Sequence, residues 1–258
     1  MPKVQPVVGW AGGKRRVADL IIAKIPASTK CYAEVFCGGA AVLAARPPSG
    51  IEVINDKNGE LINLYRILKF HPDELAAEIR FHLNSREEFD DFRHQPGLTD
   101  IQRAARWLTR RKNCFGGDPE YFGRSKTSGG ASAGSRSGLI ERAMRFSDRL
   151  DRVIIENLDW RDFFKLYDGP GTFFFCDPPY VLAKANSYDA FSDADVAELA
   201  ETLKGAQGKW LVTLDDTKQN RKAFTGCTIT TFQLTKGCRR SSTGKVGKRT
   251  ELLITPKK

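Results

Sequence analysis

One short stretch of the chain combines residue types that could carry chemistry: residues 171–180, which read Gly-Thr-Phe-Phe-Phe-Cys-Asp-Pro-Pro-Tyr. Asp177 supplies a carboxylate and Tyr180 a phenol ring, and two prolines stand between them. Proline cannot donate to a strand ladder, and it holds the residue before it in extended geometry. Backbone carbonyls at this corner are therefore left without ladder partners. Hydrogen-bond acceptors beside an aromatic face suit a flat ring that bears an amine.

This corner needs a strand before it, and the apolar run at residues 172–176 predicts a buried one. Ligands of open α/β sheets bind at the carboxyl ends of the strands, which is where Asp177 falls. Helical segments separate this strand from others, which predicts an α/β fold. The other strands are predicted at residues 32–36, 51–55, 152–157 and 209–213, with a terminal hairpin at 228–232 and 251–255.

A glycine turn follows the first predicted strand at residues 37–40, and a short helical run continues to Ala45. This arrangement binds nucleosides and dinucleotides, although αβ units also use glycine for packing alone. Asp56 ends the next strand, eighteen positions beyond Gly38. An acid at about this spacing can accept hydrogen bonds from ribose hydroxyls. Asp56 could also be a helix N-cap, and the two roles are not exclusive.

Closely spaced glycines also precede Lys14, where backbone N–H groups and a cation could meet a ligand. A phosphate-binding P-loop would need glycine at position 8 and Ser or Thr at position 15. Val8 and Arg15 stand there, so the sequence excludes a P-loop.

Residues 70–150 differ from the flanking chain in composition. Polar helices are predicted there, one with a first turn at residues 72–74, and one with an apolar stripe at Ile101, Ala104, Ala105 and Leu108. The Ser/Gly-rich residues 125–138 are either a disordered linker or a loop that orders on DNA. We therefore predict a sheet domain from residues 1–69 and 151–258, interrupted by a mostly helical insert at 70–150.

The chain carries 41 Lys and Arg against 31 Asp and Glu, a formal charge of +10. Solubility alone could explain this charge, but clustered cations favour a polyanionic partner, because they release counterions from a phosphate backbone. Three clusters lie at residues 103–112, 124–136 and 236–249. Nucleic acid is the expected partner.

Other classes of protein are not indicated. No apolar run has membrane-spanning length, and the N-terminus has no apolar signal core. The six cysteines are scattered and there are only three histidines, so neither a zinc cluster nor a disulfide framework is expected. Reduced thiols and a cytoplasmic location follow as predictions.

In this order, the motifs resemble those of the Dam-type, D12-class α group of S-adenosylmethionine-dependent DNA adenine-N6 methyltransferases, including phage-encoded members. Residues 177–180 look like the D-P-P-Y catalytic motif of that family. Residues 10–14 resemble its N-terminal cofactor motif and 36–40 its glycine turn. Asn55-Asp56 is similar to its acid after the second strand, and residues 247–254 to its closing strand. D-P-P-Y alone is moderately specific, whereas five motifs in this order over nearly the full length are strongly so.

The resemblance implies a Rossmann-like methyltransferase sheet with an inserted target-recognition domain, and it implies site residues. The implied catalytic residues are Asp177, Pro178, Pro179 and Tyr180, acting without a metal on an adenine that has left double-stranded DNA. The implied cofactor-binding residues are Trp10, Gly13, Lys14, Glu34, Phe36, Gly38, Asp56, Asn157 and Asp177. The expected DNA-binding residues are Arg111, Lys112, Asn113, Arg124, Lys126, Arg239 and Arg240. A cognate restriction endonuclease is a further partner that this family allows.

The insert departs from the family members that read GATC, which carry an N-R-x-G-[FY]-N-G-like segment. Residues 110–117 match that segment only loosely and look closer to phage-type relatives, so a relaxed or different target is open. Cytosine-N4 methylation and RNA adenine methylation are alternatives in chemistry, although the Asp of the motif favours adenine in DNA. A DNA-binding relative without catalysis is the alternative from another class. Four intact residues argue against it: Asp177, Tyr180, Asp56 and Lys14.

Overall fold

The computed structural model describes residues 4–10, 12–115, 118–123, 135–179, 191–240 and 246–257. The predicted site residues Tyr180, Arg124 and Lys126 lie outside the described residues. The chain divides into two compact units. The first unit comprises Met1–Ala18, Gly38–Pro48 and Asn58–Asn157, and the second comprises Asp19–Cys37, Ser49–Lys57 and Leu158–Lys258.

The strands of the described chain are β1 (Cys31–Glu34), β2 (Ile51–Asn55), β3 (Cys114–Phe115), β4 (Asp118–Phe122), β5 (Val153–Glu156), β6 (Thr172–Cys176), β7 (Lys209–Asp215), β8 (Thr228–Arg240) and β9 (Val246–Thr255). The α-helices, preceded by a 3-10 turn at Lys14–Val17, are α1 (Ala18–Ile22), α2 (Ala41–Ala45), α3 (Gly59–Phe70), α4 (Pro72–Phe81), α5 (Arg86–His94), α6 (Asp100–Asn113), α7 (Arg136–Leu150), α8 (Trp160–Tyr167), α9 (Asp193–Gly205) and α10 (Lys218–Ala223). None of the helices in the described ranges is both long and apolar enough to cross a membrane.

Seven of the described strands form one sheet, in the order β5-β2-β1-β6-β7-β9-β8. Strand β1 pairs in parallel with β2 and β6, and β6 pairs in parallel with β7. Strand β9 is antiparallel to both of its neighbours, β7 and β8. The α/β fold with a Rossmann-like, mostly parallel sheet is therefore confirmed.

The second unit is built around β6, all of whose residues are buried. Its Phe174 belongs to a core that includes Val212 of β7, Phe163 of α8 and Leu199 of α9. The strand ends at Cys176, directly before Asp177 and the two prolines, as the apolar run predicts. Ser192 caps helix α9, in a reciprocal capping box with Asp195.

The hairpin of β8 and β9 extends further than the sequence predicts. Strand β8 continues to Arg240 and β9 begins at Val246, so much of the basic segment expected to be a loop is strand. Residues 228–235 are rich in Thr and include Ile229 and Phe232, residue types that favour extended backbone, and the pairing continues to Thr235 and Lys248.

The first unit is a helical assembly in which α3 and α4 pack against α6 and α7. The predicted core residues of α3, such as Leu64, are fully buried, and so are Ala104, Ala105 and Leu108 of α6. The side chain of Asn58 caps α3 by accepting from the N–H groups of Glu60 and Leu61. The alternative that Asp56 caps this helix is therefore wrong. Residues 70–150 all lie in the first unit with chain from both sides, and their role as a separate recognition domain stays a prediction.

A buried amide joins the ends of β1 and β2 to the chain before α8, within the second unit. The Asn55 amide nitrogen donates to the carbonyls of Val35 and Leu158 at 3.0 and 3.1 Å. Its amide oxygen accepts from the Leu158 N–H at 2.9 Å, and Asn55 is 1% exposed. Asn55 thus provides hydrogen-bond partners for three backbone groups.

Replacing Asn55 with Ala should lower the free energy of unfolding by about 3 kcal/mol, because a buried N–H and two carbonyls lose their partner. Urea unfolding of the wild-type and variant proteins measures the difference. Asn63→Ala is the matched control, since Asn63 makes an exposed hydrogen bond to the Asp100 carbonyl and its loss should change stability by less than about 0.5 kcal/mol. Equal unfolding curves for the two variants would contradict this role of Asn55.

Candidate active site

The carboxyl ends of the parallel strands bring three acidic residues to one edge of the second unit. Glu34 is the last residue of β1, Asp56 follows the last residue of β2, and Asp177 follows the last residue of β6. Since β2, β1 and β6 are parallel, these positions share the edge at which ligands of α/β sheets bind. The sheet thus gathers in the second unit three carboxylates that are far apart in the chain.

Asp177 is fixed by a residue of the neighbouring strand. The Thr213 hydroxyl donates to Asp177 Oδ1 at 2.7 Å. Thr213 is fully buried on β7, one position beyond Val212, which pairs with Cys176. A hydrogen bond to a carboxylate is stronger than one between neutral groups. It therefore selects one orientation of the Asp177 side chain at the strand end. Pro178 is buried and Pro179 is exposed.

Glu34 is held in the same way by its own strand. Tyr32 and Glu34 point to the same face of β1, and the phenol donates to Glu34 Oε1 at 2.8 Å with both side chains buried. Burial, together with the carboxylates of Asp56 and Glu34, raises the pKa of the Cys37 thiol well above its usual range. Cys37 therefore stays a neutral thiol, and its pKa shift places the two carboxylates in one electrostatic environment. Phe36 is half-buried and meets the Phe191 ring edge-on.

In the first unit, the N-terminal segment covers the glycine turn. Gly38 has a φ of 45°, and a Cβ built there would lie 2.8 Å from Cδ1 and Nε1 of Trp10. A side chain at position 38 would therefore collide with the indole, which explains the need for glycine at this close approach. The Gly13 N–H donates to the Trp10 carbonyl at 3.1 Å. Lys14 is 2% exposed, and its ammonium donates to the Gly12 carbonyl at 2.9 Å.

The remaining predicted cofactor residue, Asn157, is exposed beyond the end of β5 in the first unit. The structure thus brings Trp10, Gly13, Lys14 and Gly38 together in one unit, and Glu34, Asp56 and Asp177 to one edge of the other.

The predicted DNA-binding residues differ in exposure. Lys112 is half-buried at the end of α6, and its pKa is lowered by burial and by the nearby cations Arg142 and Arg136. Arg111 and Asn113, by contrast, are 9% and 1% exposed. Arg239 and Arg240 are the last residues of β8, and their side chains lie outside the description. A DNA contact by any of these residues stays a prediction.

With this geometry in place, comparison with known proteins decides the family. The family model for D12 class N6 adenine-specific DNA methyltransferases matches residues 10–237. The chain belongs to this family. Its relatives span nearly its whole length, so the resemblance found in the sequence motifs is confirmed.

Among these relatives is the type II methyltransferase M1.LlaDCHI of Lactococcus lactis subsp. cremoris, which is 27% identical over 98% of this chain and 95% of its own length. The type II methyltransferase M.CviBI of Paramecium bursaria Chlorella virus NC1A is 25% identical over 89% of this chain and 90% of its own. The DNA adenine methylase of Escherichia coli strain K12 is 25% identical over 87% and 85%. A solved rRNA methyltransferase, AviRa from Streptomyces viridochromogenes, matches with a TM-score of 0.42 and 15% identity over 96% of this chain and 89% of that one.

Sequence reasoning missed the residues that orient this D12 methyltransferase's acidic groups. Thr213 reaches Asp177 only because of the register between β6 and β7, which no local pattern reveals. Tyr32 could have been found, since a phenol two positions before an acid in a buried strand lies on the same face.

Replacing Thr213 with Val should slow methyl transfer about tenfold in kcat, because Asp177 loses the hydrogen bond that orients its carboxylate. The KM values for DNA and for the methyl donor should change less than about twofold, since valine keeps the shape of the buried side chain. Steady-state kinetics of methyl transfer to DNA separates these constants. Thr213→Ser keeps the hydroxyl and should retain most of the wild-type kcat. A wild-type kcat in the valine variant would contradict the orienting role.

Proposed function

We propose that the protein transfers the methyl group of S-adenosylmethionine to N6 of an adenine that has been flipped out of double-stranded DNA. The observation that carries the proposal is the position of Asp177 at the carboxyl end of β6, with Oδ1 held by Thr213 and two prolines directly after it. In a chain of the adenine-specific D12 family, such a corner offers acceptors for an exocyclic amine.

The residues of the second unit fit a nucleoside-bearing methyl donor. Glu34 and Asp56 supply carboxylates at a strand edge, and carboxylates accept hydrogen bonds from ribose hydroxyls. Phe36, two positions after Glu34, is half-buried and supplies an aromatic surface for a base. S-adenosylmethionine, when bound, supplies a methyl group carried by a positive sulfonium, which nearby carboxylates would favour. Within the first unit, we assign a role in cofactor binding to Trp10, Gly13, Lys14, Gly38 and Asn157.

The proposed chemistry depends on orientation and electrostatics rather than on a strong base or a metal. An adenine amine inside a duplex is paired and stacked, so the base must leave the stack first. Tyr180 would stack on the flipped ring, while the Asp177 carboxylate and the Pro178 carbonyl accept the two amine hydrogens. These hydrogen bonds would pull the nitrogen towards tetrahedral geometry and free its lone pair to accept the methyl group that S-adenosylmethionine would supply. The proton that N6 gives up would pass through the Asp177 carboxylate to solvent.

The electrostatics of the first unit favour a DNA partner. Burial lowers the pKa of Lys112, and the like charges of Arg142 and Arg136 lower it further. Neighbouring cations destabilise one another unless an anion binds, and DNA supplies phosphates at regular spacing. We assign DNA contacts to Lys112, to Arg124 and Lys126 within the insert, and to Arg239 and Arg240 within the terminal hairpin. A GATC target is not part of the proposal; a cognate endonuclease and a cytoplasmic location stay predictions.

The direct test is transfer of labelled methyl from S-adenosylmethionine to unmethylated DNA, with nucleoside analysis and sequence mapping of the product. N6-methyladenine within a short motif is the expected product. Label in N4-methylcytosine or in RNA would replace the proposed substrate. Binding of DNA without binding of S-adenosylmethionine would favour a relative that has lost catalysis.

Asp177→Ala should reduce methyl transfer by about a thousandfold, because the carboxylate is an acceptor at the reacting amine. DNA affinity should change less than about twofold, since the side chain makes no phosphate contact in this proposal. Single-turnover transfer and fluorescence anisotropy measure the two effects. Asp162→Ala, which removes an exposed carboxylate from α8, is the control and should keep wild-type turnover. An active Asp177→Ala protein would refute the catalytic assignment.

Replacing Arg239 and Arg240 together with Ala should weaken DNA binding and reduce the slope of log K against log salt by about two, one for each lost phosphate contact. Affinity measured between low and high salt gives this slope. Replacing Lys165 and Lys222 with Ala removes the same charge from α8 and α10 and serves as the control. An unchanged slope in the arginine variant would show that the end of β8 is not on the DNA backbone.

A further inference from the structure

One of the basic residues of α6 lies in an aromatic cluster of the first unit. The guanidinium carbon of Arg111 is 4.8 Å from the ring centroid of Trp10 and 5.0 Å from that of Trp107. The two indole rings are themselves 6.4 Å apart, with 33° between their planes. Arg111 is 9% exposed, so its contacts with the rings are made away from water. A cation over an indole face is attracted most strongly when both are desolvated.

Trp10 of this cluster also contacts the glycine turn. Cδ1 and Nε1 of the Trp10 indole lie so close to Gly38 that no Cβ could be added there. Trp10 therefore contacts Gly38 as well as Arg111 and Trp107. Trp10 is only half-buried despite these contacts, so part of it stays accessible to a ligand.

We infer that Arg111 is a positioning residue for cofactor binding, and that it holds the indole of Trp10 against the Gly38 turn instead of contacting a DNA phosphate. To reach a phosphate, its guanidinium would have to leave both indole faces. The inference rests on the proposed cofactor role of Trp10 and adds a contribution from the end of α6. The next residue, Lys112, is half-exposed and keeps its assignment to DNA.

This arrangement gives neighbouring residues of one helix separate tasks. Arginine suits the buried position because its planar, weakly hydrated guanidinium stacks on aromatic rings, whereas a lysine ammonium is compact and strongly hydrated. The end of α6 would then contribute to cofactor affinity through Arg111 and to DNA affinity through Lys112. Each contribution has its own measurable signature.

The test compares Arg111→Met with Lys112→Met in the full-length protein. Arg111→Met should raise the dissociation constant for S-adenosylmethionine about tenfold in calorimetric titration, because Trp10 loses its cation–π contact. It should leave the salt slope of DNA binding unchanged. Lys112→Met should reduce that slope by about 0.9 and leave the cofactor dissociation constant unchanged.

Thermal unfolding of each variant shows whether it is folded. If Arg111→Met does not fold, Arg111→Lys replaces it, and the loss of planar stacking should still weaken cofactor binding several-fold, whereas a purely DNA-contacting residue would leave that constant unchanged.

Three results would overturn the inference. A reduced salt slope with unchanged cofactor affinity in Arg111→Met would place Arg111 on the DNA backbone. An unchanged cofactor dissociation constant together with an unchanged salt slope in Arg111→Met would show that the aromatic cluster only contributes to packing. A wild-type protein that binds no S-adenosylmethionine would refute the proposed function and this inference together. Failure of the proposed function is therefore seen in the unsubstituted protein, whereas failure of the inference alone is seen only in the variants.

Discussion

The missing N–H of proline is the constraint on which the active-site edge depends. Strand β6 cannot extend its ladder through Pro178 and Pro179, so the chain leaves the sheet at Asp177. Because the exit falls in the middle of a parallel sheet, a second strand runs alongside it. Thr213 on that strand can then hold the carboxylate. A strand that ended at the margin of the sheet would have neighbouring chain on one side only. The two prolines therefore determine both where the Asp177 carboxylate lies and that a neighbouring strand can orient it.

Two buried polar side chains at this edge, Glu34 and Asn55, have hydrogen-bond partners. Glu34 accepts from Tyr32, and the Asn55 amide serves backbone groups of Val35 and Leu158. Such networks gain strength from the low dielectric of the interior, and they are costly if any member is left without a partner. In the proposed reaction, acceptors held in this way would already be oriented when a substrate arrives, so little reorganisation would be needed.

Local patterns predicted much of this architecture, because an apolar run followed by prolines, or a Ser three residues before an Asp, carries its structural meaning within a few residues. The rest could not be predicted for identifiable reasons. Asp56 was wrong as the cap of α3, because the helix begins two residues later and Asn58 caps it. The role of Thr213 depends on strand register, which no local pattern reveals. The DNA contact of Arg111 stays a prediction from composition, and a charge count cannot show that this arginine lies against two indoles.

The cluster of Trp10, Trp107 and Arg111 also bears on how target specificity can change. Exchange of recognition segments between relatives is an obvious route to a new target sequence. The segment predicted to read the target, residues 70–150, includes Trp107 and Arg111, while their aromatic partner Trp10 lies near the start of the chain. A transplanted segment must therefore match the residue at position 10. A new target specificity is then reached most simply by substitutions elsewhere in the insert that leave Trp10, Trp107 and Arg111 unchanged.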